Sequence, residues 1–179
     1  NISVLNSAGI DKVVAINAVG GISQKMTPQA IAIPDQIIDY TSSRAHTFFD
    51  EGLDEVTHID FTHPFCEDLR QEIIKAAAST KIAVNKSATY AATQGPRLET
   101  AAEIDKLERD GCHIVGMTGM PEAALARELG MCYAGIAVVA NKAAGRGEGE
   151  ITIEDIEKNL KGGMDKVKLI IENLIQSAT

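Results

Sequence analysis

The chain has 179 residues, of which 45% are hydrophobic and 23% charged, and its formal net charge is −8 at pH 7. These values are typical of a single globular domain, residues 1–179, with a sizeable apolar core. Because the chain is acidic and has no basic block, nucleic acid is not an expected partner. No apolar run reaches membrane length, so neither a membrane span nor a signal peptide is predicted.

Three cysteines, Cys66, Cys112 and Cys132, are scattered along the chain. Their odd number and their spacing predict buried free thiols in a reducing compartment, and we therefore expect a cytoplasmic protein. The histidines share no ligand spacing with cysteines or carboxylates, so no metal site is predicted.

Short apolar runs in the first half of the chain indicate buried strands. The run at 12–17 predicts a strand that feeds a tight turn at 20–21, and the run at 30–34 predicts a strand that ends in proline. Apolar residues recur on one helical face between 66 and 79. The β-branched start of 81–92 predicts a further strand.

Three helices are predicted in the second half of the chain. Residues 100–103 form a capping box, which marks a helix start. Pro121 suits the first turn of the next helix, which stops at Gly130. The pair of residues 152 and 155 caps a long final helix, and glycines at 162–163 are expected to bend it.

Strands at 113–116 and 132–139 complete an alternation of strands and helices, which predicts an α/β sandwich around a largely parallel or mixed sheet. Ligands of such folds bind beyond the carboxyl ends of strands. Residues 17–18, residues 117–118 and Asn141 each lie at the end of a predicted strand, so we expect them to share one site.

Four motifs follow one another along the chain: AINAVGG at 15–21, TQGPRLET at 93–100, GMTGMPE at 116–122 and VVANK at 138–142. With them the chain resembles the trimeric purine nucleoside phosphorylase and methylthioadenosine phosphorylase family over nearly all of its length. The resemblance implies a three-layer sandwich with a central mixed, largely parallel sheet flanked by helices. It also implies a fold incomplete at its N-terminus, because that family's first phosphate loop and its Arg-His phosphate site would lie upstream of Asn1.

The resemblance places Asn17, Ala18 and Thr118 at phosphate contacts, with Val19 and Gly20 beneath the purine. Backbone N–H groups at a strand end can face an anion, and a hydroxyl at a helix N-terminus adds a donor. From the residues alone, an ordinary glycine turn and a simple capping threonine remain open.

Glu99 and Asn141 are the candidates that read the base. A 6-oxopurine offers an N1–H donor to a carboxylate, while an amide can serve O6 and N7 and stabilise the leaving purine, which makes Asn141 the predicted catalytic residue. Adenine-specific family members carry Asp-x-Asp where this chain has Asn141-Lys142-Ala143, and a small hydroxyl residue in place of Glu99. The resemblance therefore implies a 6-oxo base. A dipole role for Glu99 and a turn role for Asn141 are the alternatives from the residues alone.

The resemblance places Met117 against the sugar, where a polarizable side chain suits developing charge, although a core role is the alternative. Ile153 and Ile156 match the aliphatic 5′ pocket of methylthio-nucleoside enzymes, and His58 matches a residue that enters the neighbouring subunit's pocket. Helix packing and a surface histidine are the alternatives here. The remaining predicted substrate contacts are Leu98 and Ala143.

These features predict phosphorolysis of 5′-methylthioinosine to hypoxanthine and 5-methylthioribose 1-phosphate. Inorganic phosphate is the expected co-substrate, no cofactor is expected, and the resemblance implies a closed homotrimer. Three alternatives stay open: a purine nucleoside phosphorylase acting on inosine and guanosine, a methylthioadenosine phosphorylase, and an inactive or binding-only fragment.

Overall fold

The computed structural model describes residues 1–50 and 58–177. The helices in this part of the chain are α1 (Ile2–Ser7), α2 (Glu67–Ser79), α3 (Ala101–Arg109), α4 (Gly119–Glu128) and α5 (Ile153–Ser177). The strands are β1 (Lys12–Gly21), β2 (Ile31–Ala32), β3 (Gln36–Asp39), β4 (Val84–Asn85), β5 (Thr89–Ala92), β6 (Ile114–Gly116) and β7 (Cys132–Lys142). None of the helices found there is long and apolar enough to cross a membrane.

The strands form one sheet in the order β3-β5-β6-β1-β7-β2-β4. The longest ladder is the parallel pair of β1 and β7, which runs from Lys12 opposite Cys132 to Gly21 opposite Lys142. The pairs β3-β5, β5-β6 and β2-β4 are also parallel, whereas β6 is antiparallel to β1 and β2 is antiparallel to β7. The predicted mixed, largely parallel sheet is therefore confirmed.

Helices cover both faces of this sheet. Alternate residues of β7 point to opposite faces, so they pack against different helices. Ile136 and Val138 belong to the apolar cluster shared with α2 and α5. Ala137 and Val139 belong to the cluster shared with α4. A third cluster, which includes Ile104, lies beneath α3. The result is the predicted three-layer arrangement.

Both predicted side-chain caps are present. The Thr100 hydroxyl accepts from the Glu103 backbone N–H at 3.1 Å, and the Glu103 carboxylate accepts from the Thr100 N–H at 2.7 Å. Hydrogen bonds from Arg97 and from this N–H lower the pKa of Glu103 to about 2. At the start of α5, the Thr152 hydroxyl accepts from the Asp155 N–H at 3.2 Å.

The turn predicted at residues 20–21 is wrong, whereas the bend predicted at residues 162–163 stays a prediction. Residues 20–21 are not a turn, since β1 continues through Gly21. A Cβ on Gly21 would lie 1.9 Å from the carbonyl oxygen of Met26, so the glycine allows close backbone approach within a strand. The α5 helix is a single element through residues 162–163. A Cβ on Gly163 would lie 2.3 Å from Cγ1 of Val138, so this glycine lets the helix pack on the sheet.

The cysteine prediction is wrong for two of the three residues. Cys66 and Cys132 form a disulfide, with their Cα atoms 5.1 Å apart, whereas Cys112 is free and buried as predicted. Cys66 directly precedes α2 and donates its backbone N–H to Tyr133 at 2.8 Å, which sets it beside the first residue of β7. This pairing joins residues 66 positions apart, so it depends on the tertiary fold.

Arg70 joins α2 to the ends of two strands. Its guanidinium is only 5% exposed and donates to the carbonyl oxygens of Pro34 at 2.8 Å and Lys86 at 2.6 Å. It also forms an ion pair with Glu67. These carbonyls lie just past β2 and β4, so one side chain satisfies acceptors that the sheet leaves unpaired.

We expect Arg70→Leu to lower the free energy of unfolding by roughly 2–4 kcal/mol, because each buried acceptor left without a partner costs about 1–3 kcal/mol. Urea unfolding would measure the change. Arg109→Leu, at an exposed arginine of α3, is the control and should stay within about 0.5 kcal/mol of wild type. Equal midpoints for Arg70→Leu and wild type would contradict this role.

Candidate active site

A cavity of about 280 Å³ opens beside the central strands β1, β6 and β7. Its lining includes most of the residues predicted to touch substrate: Ala18, Val19, Gly20, Leu98, Glu99, Met117, Thr118, Asn141, Ala143 and Ile156. It also includes apolar and glycine residues that sequence reasoning missed, namely Val115, Gly116, Ala140, Ala144 and Ile151. The missed residues have no polar group to signal a role, and only the sheet register brings them to the cavity.

The predicted segments come together through an antiparallel strand pairing, which the sequence did not predict. β6 runs antiparallel to β1, with Val115 opposite Gly20. The carboxyl end of β6 therefore points back along β1, which places Thr118 next to Asn17 rather than at the end of β1. A register shift against β7 after Val19 adds an irregularity to β1 at this point.

Thr118 exposes its hydroxyl on the predicted phosphate side. Its oxygen accepts from Nδ2 of Asn17 at 2.9 Å, so its hydrogen can donate to an anion. The side chain makes no capping bond to α4 in the described structure, which argues against the capping alternative. Asn17 is 6% exposed and lies behind the cavity wall, where it orients Thr118.

The backbone at Thr118 is held by a hydrogen bond to Tyr90 of β5. Its N–H donates to the hydroxyl of Tyr90 at 3.3 Å, and burial raises the pKa of Tyr90, so that hydroxyl stays neutral. Met120 has an extended backbone with φ −115° and ψ 141°, so regular helical geometry begins at Pro121, as predicted. The start of α4 therefore lies close to Thr118, and its partial positive charge favours an anion there.

Glu99 has one carboxylate oxygen fixed and one left for a ligand. Its Oε1 accepts from the Thr93 hydroxyl at 2.7 Å. Thr93 is itself held by the carbonyl oxygen of Gly116, which accepts its backbone N–H at 2.8 Å. Sequence reasoning gave Thr93 no role, although it stands in the same motif six residues before Glu99.

Asn141 lines the same cavity as Glu99. Its Nδ2 donates to the Lys142 carbonyl oxygen at 2.7 Å, which leaves its second N–H for a ligand. The Lys142 ammonium donates to the carbonyl oxygens of Ser23 and Gln24, each at 3.2 Å, so it is occupied outside the cavity. Glu99 and Asn141 therefore supply one carboxylate and one amide to the cavity lining.

Met117 owes its position to Gly95. This glycine has φ +65°, and a Cβ there would lie 2.3 Å from the sulfur of Met117. The left-handed backbone at this position favours glycine, and a larger residue would also require the Met117 side chain to shift. It explains why a glycine stands within the motif at 93–100.

The cavity lining includes the isoleucines Ile151 and Ile156. Ile153 is the first residue of α5, is 74% exposed and is not part of the lining. His58 is exposed as well and also lies outside the lining. The role predicted for His58 involves a neighbouring subunit and stays a prediction. Ile153 was predicted to line the 5′ pocket together with Ile156, but the structure brings only Ile156 to this cavity.

The loop that follows Asn141 is attached to α3. Arg146 forms ion pairs with Asp105 at 2.8 Å and Glu108 at 2.7 Å. A second cavity, lined by Asn141 and the loop at 145–150, adjoins the first through shared residues. This loop therefore borders the side of the site that carries the amide.

Comparisons with known proteins agree with this geometry. The chain matches the Phosphorylase superfamily over residues 1–176. A probable S-methyl-5′-thioinosine phosphorylase of Pseudomonas syringae pv. tomato is 51% identical over 178 residues, which cover 99% of this chain and 72% of the relative. A 6-oxopurine nucleoside phosphorylase of Pyrococcus furiosus is 45% identical over 177 residues, covering 96% of this chain and 67% of that protein.

A solved structure gives the same fold. Methylthioadenosine phosphorylase from Schistosoma mansoni, in complex with adenine, superimposes with a TM-score of 0.94 at 27% identity and covers 99% of this chain and 69% of that one. The predicted nucleoside phosphorylase fold is therefore confirmed. The chain belongs to the phosphorylase superfamily, and its relatives are enzymes of the purine nucleoside phosphorylase type.

Proposed function

We propose that this protein catalyses the phosphorolysis of 5′-methylthioinosine, which yields hypoxanthine and 5-methylthioribose 1-phosphate. The proposal is supported by one cavity whose lining includes the Glu99 carboxylate, the Asn141 amide and two isoleucines, Ile151 and Ile156. Glu99 and Asn141 match the edge of a 6-oxopurine, and Ile151 and Ile156 match a thiomethyl group. The name of the relative that is 51% identical supports the same substrate.

In the proposed reaction, a phosphate oxygen attacks the anomeric carbon C1′ of the sugar while the bond between C1′ and N9 of the purine breaks. The electron pair of that bond passes to the purine, whose growing charge is stabilised by a hydrogen bond from Asn141 to N7. Thr118 and the backbone of Ala18 hold the phosphate beneath the sugar. Positioning of the two reactants supplies much of the rate, and no covalent enzyme intermediate is needed.

Met117 lies at the sugar in this arrangement, between the phosphate group and the base. The exposed side chain of Ile153 supports a contact between subunits beside the site, and we propose the closed homotrimer with His58 of one subunit reaching the next. Phosphate is proposed as co-substrate, without a cofactor. The cytoplasmic location stays a prediction, and the disulfide of Cys66 and Cys132 removes the free-thiol argument for it.

The direct test compares kcat/KM for methylthioinosine, inosine and methylthioadenosine at saturating phosphate. We expect methylthioinosine to exceed inosine by about ten- to two-hundredfold, because an apolar slot gains from the thiomethyl group and offers no partner to a 5′-hydroxyl. Equal rates would assign the protein to phosphorylases of ordinary 6-oxopurine nucleosides. Binding of these nucleosides without turnover would identify a binding-only protein.

Base choice is tested by Asn141→Asp. We expect kcat/KM for methylthioinosine to fall by roughly ten- to hundredfold, because a carboxylate cannot donate to N7, and preference should move towards the 6-amino base. Asn6→Asp makes the same change in charge at an exposed residue of α1 and serves as the control. If wild type prefers methylthioadenosine, the assignment of a 6-oxo base is wrong.

Phosphate binding is tested by Thr118→Val, which keeps the side-chain shape and removes the hydroxyl. We expect KM for phosphate to rise about tenfold or more, since a hydrogen bond to a charged group contributes about 1.5–3 kcal/mol. Thr118→Ser retains the hydroxyl and should stay close to wild type. An unchanged KM for phosphate in the valine variant would place the phosphate elsewhere.

A further inference from the structure

Arg44 lies close to the cavity but is not part of its lining. Its guanidinium contacts two segments that both carry candidate site residues. We call residues 93–99 the base-side loop, since they end at Glu99, and residues 117–120 the phosphate-side turn, since they include Thr118.

All five N–H donors of the guanidinium are used in this contact. Nε donates to the side-chain oxygen of Gln94 at 3.2 Å, and Nη2 donates to the carbonyl oxygens of Thr93 at 3.2 Å and Gln94 at 3.0 Å. Nη1 donates to the carbonyl oxygens of Met117 at 2.7 Å and Met120 at 2.5 Å. One edge of the planar group therefore binds the base-side loop and the other binds the phosphate-side turn.

The acceptors lie in backbone segments without regular geometry. Met120 departs from helical geometry and directly precedes Pro121, where the regular part of α4 begins. Gln94 makes a second contact with the segment that carries Arg44, because its side-chain oxygen also accepts from the backbone N–H of Ser42 at 3.1 Å. Arg44 thus joins two irregular backbone segments whose contacting residues lie 49 to 76 positions away from it along the chain.

Each of the two segments that Arg44 contacts is linked to a residue that is proposed to bind substrate. Thr93 donates its hydroxyl to Glu99 at 2.7 Å, so the position of the base-side loop sets the direction of that carboxylate. Met117 immediately precedes Thr118, so the carbonyl oxygen that Arg44 holds belongs to the peptide group leading into the phosphate-binding residue. Relative movement of the two segments would separate the base contact from the phosphate contact.

We propose that Arg44 is a positioning residue that holds the base-side loop and the phosphate-side turn in one geometry, so that Glu99 and Thr118 act on the same nucleoside. This role rests on the proposed function. Lysine cannot replace the arginine, because a single ammonium nitrogen lacks the planar fork that reaches both segments.

The experiment compares Arg44→Lys and Arg44→Gln with wild type, and uses Arg109→Lys on the exposed face of α3 as the matched control. We expect kcat/KM for methylthioinosine and for phosphate to fall together by about ten- to hundredfold in both Arg44 variants, as misplacement of reacting groups predicts. Arg109→Lys should keep wild-type kinetics. Wild-type kinetics in Arg44→Lys would overturn the proposal.

Hydrogen–deuterium exchange of the same proteins gives a readout that does not depend on activity. We expect faster exchange in peptides covering 93–99 and 117–122, and unchanged exchange in a peptide covering 132–140 of β7. Equal acceleration in all three peptides would show that Arg44 serves global stability and would overturn the proposal. If wild type turns over no nucleoside, the proposed function fails, while exchange in these peptides still decides whether Arg44 holds the two segments together.

Discussion

The parallel pairing of β1 with β7 is the constraint on which the rest of the structure depends. Its ladder extends from residue 12 opposite 132 to residue 21 opposite 142, and it buries β7 between helices on both faces. Because side chains alternate along a strand, this register fixes which residues pack in the core and which reach the cavity. The register of β1 against β7 shifts after Val19, where β6 pairs with the other edge of β1, and the cavity lies beside this irregularity.

Two polar groups at the site, the Thr118 hydroxyl and the Glu99 carboxylate, are oriented by hydrogen bonds from other side chains. Asn17 orients Thr118 across 101 positions, and Thr93 orients Glu99 while bonding to the carbonyl oxygen of Gly116. Donors fixed in this way need not reorganise during a reaction, which is the condition for electrostatic stabilisation of a transition state. Local donors of this kind also explain how a chain with a net charge of −8 can bind an anion.

Local sequence patterns determined much of the secondary structure. The capping residues Thr100 and Thr152 predicted two helix starts correctly, because a cap depends on residues only three positions apart. Apolar runs predicted the central strands for the same local reason, although the one strand predicted at 81–92 is two separate strands, β4 and β5. The short strand β3 and the helix α1 carried no such signal, and neither was predicted. The polar residues of the four motifs were also visible in the sequence, and the structure brings Glu99, Thr118 and Asn141 to one cavity.

Only the tertiary structure decided which residues support these groups. The disulfide between Cys66 and Cys132 and the contacts of Arg44 join positions far apart in the sequence, and spacing cannot reveal such pairs. The glycines at 21 and 163 looked like a turn and a bend, yet both serve close packing against a backbone or side chain that the sequence does not identify. The sequence by itself therefore determined most of the elements and the candidate side chains of the site. Long-range packing decided how those side chains are held, because orientation depends on neighbours that only the folded chain brings together.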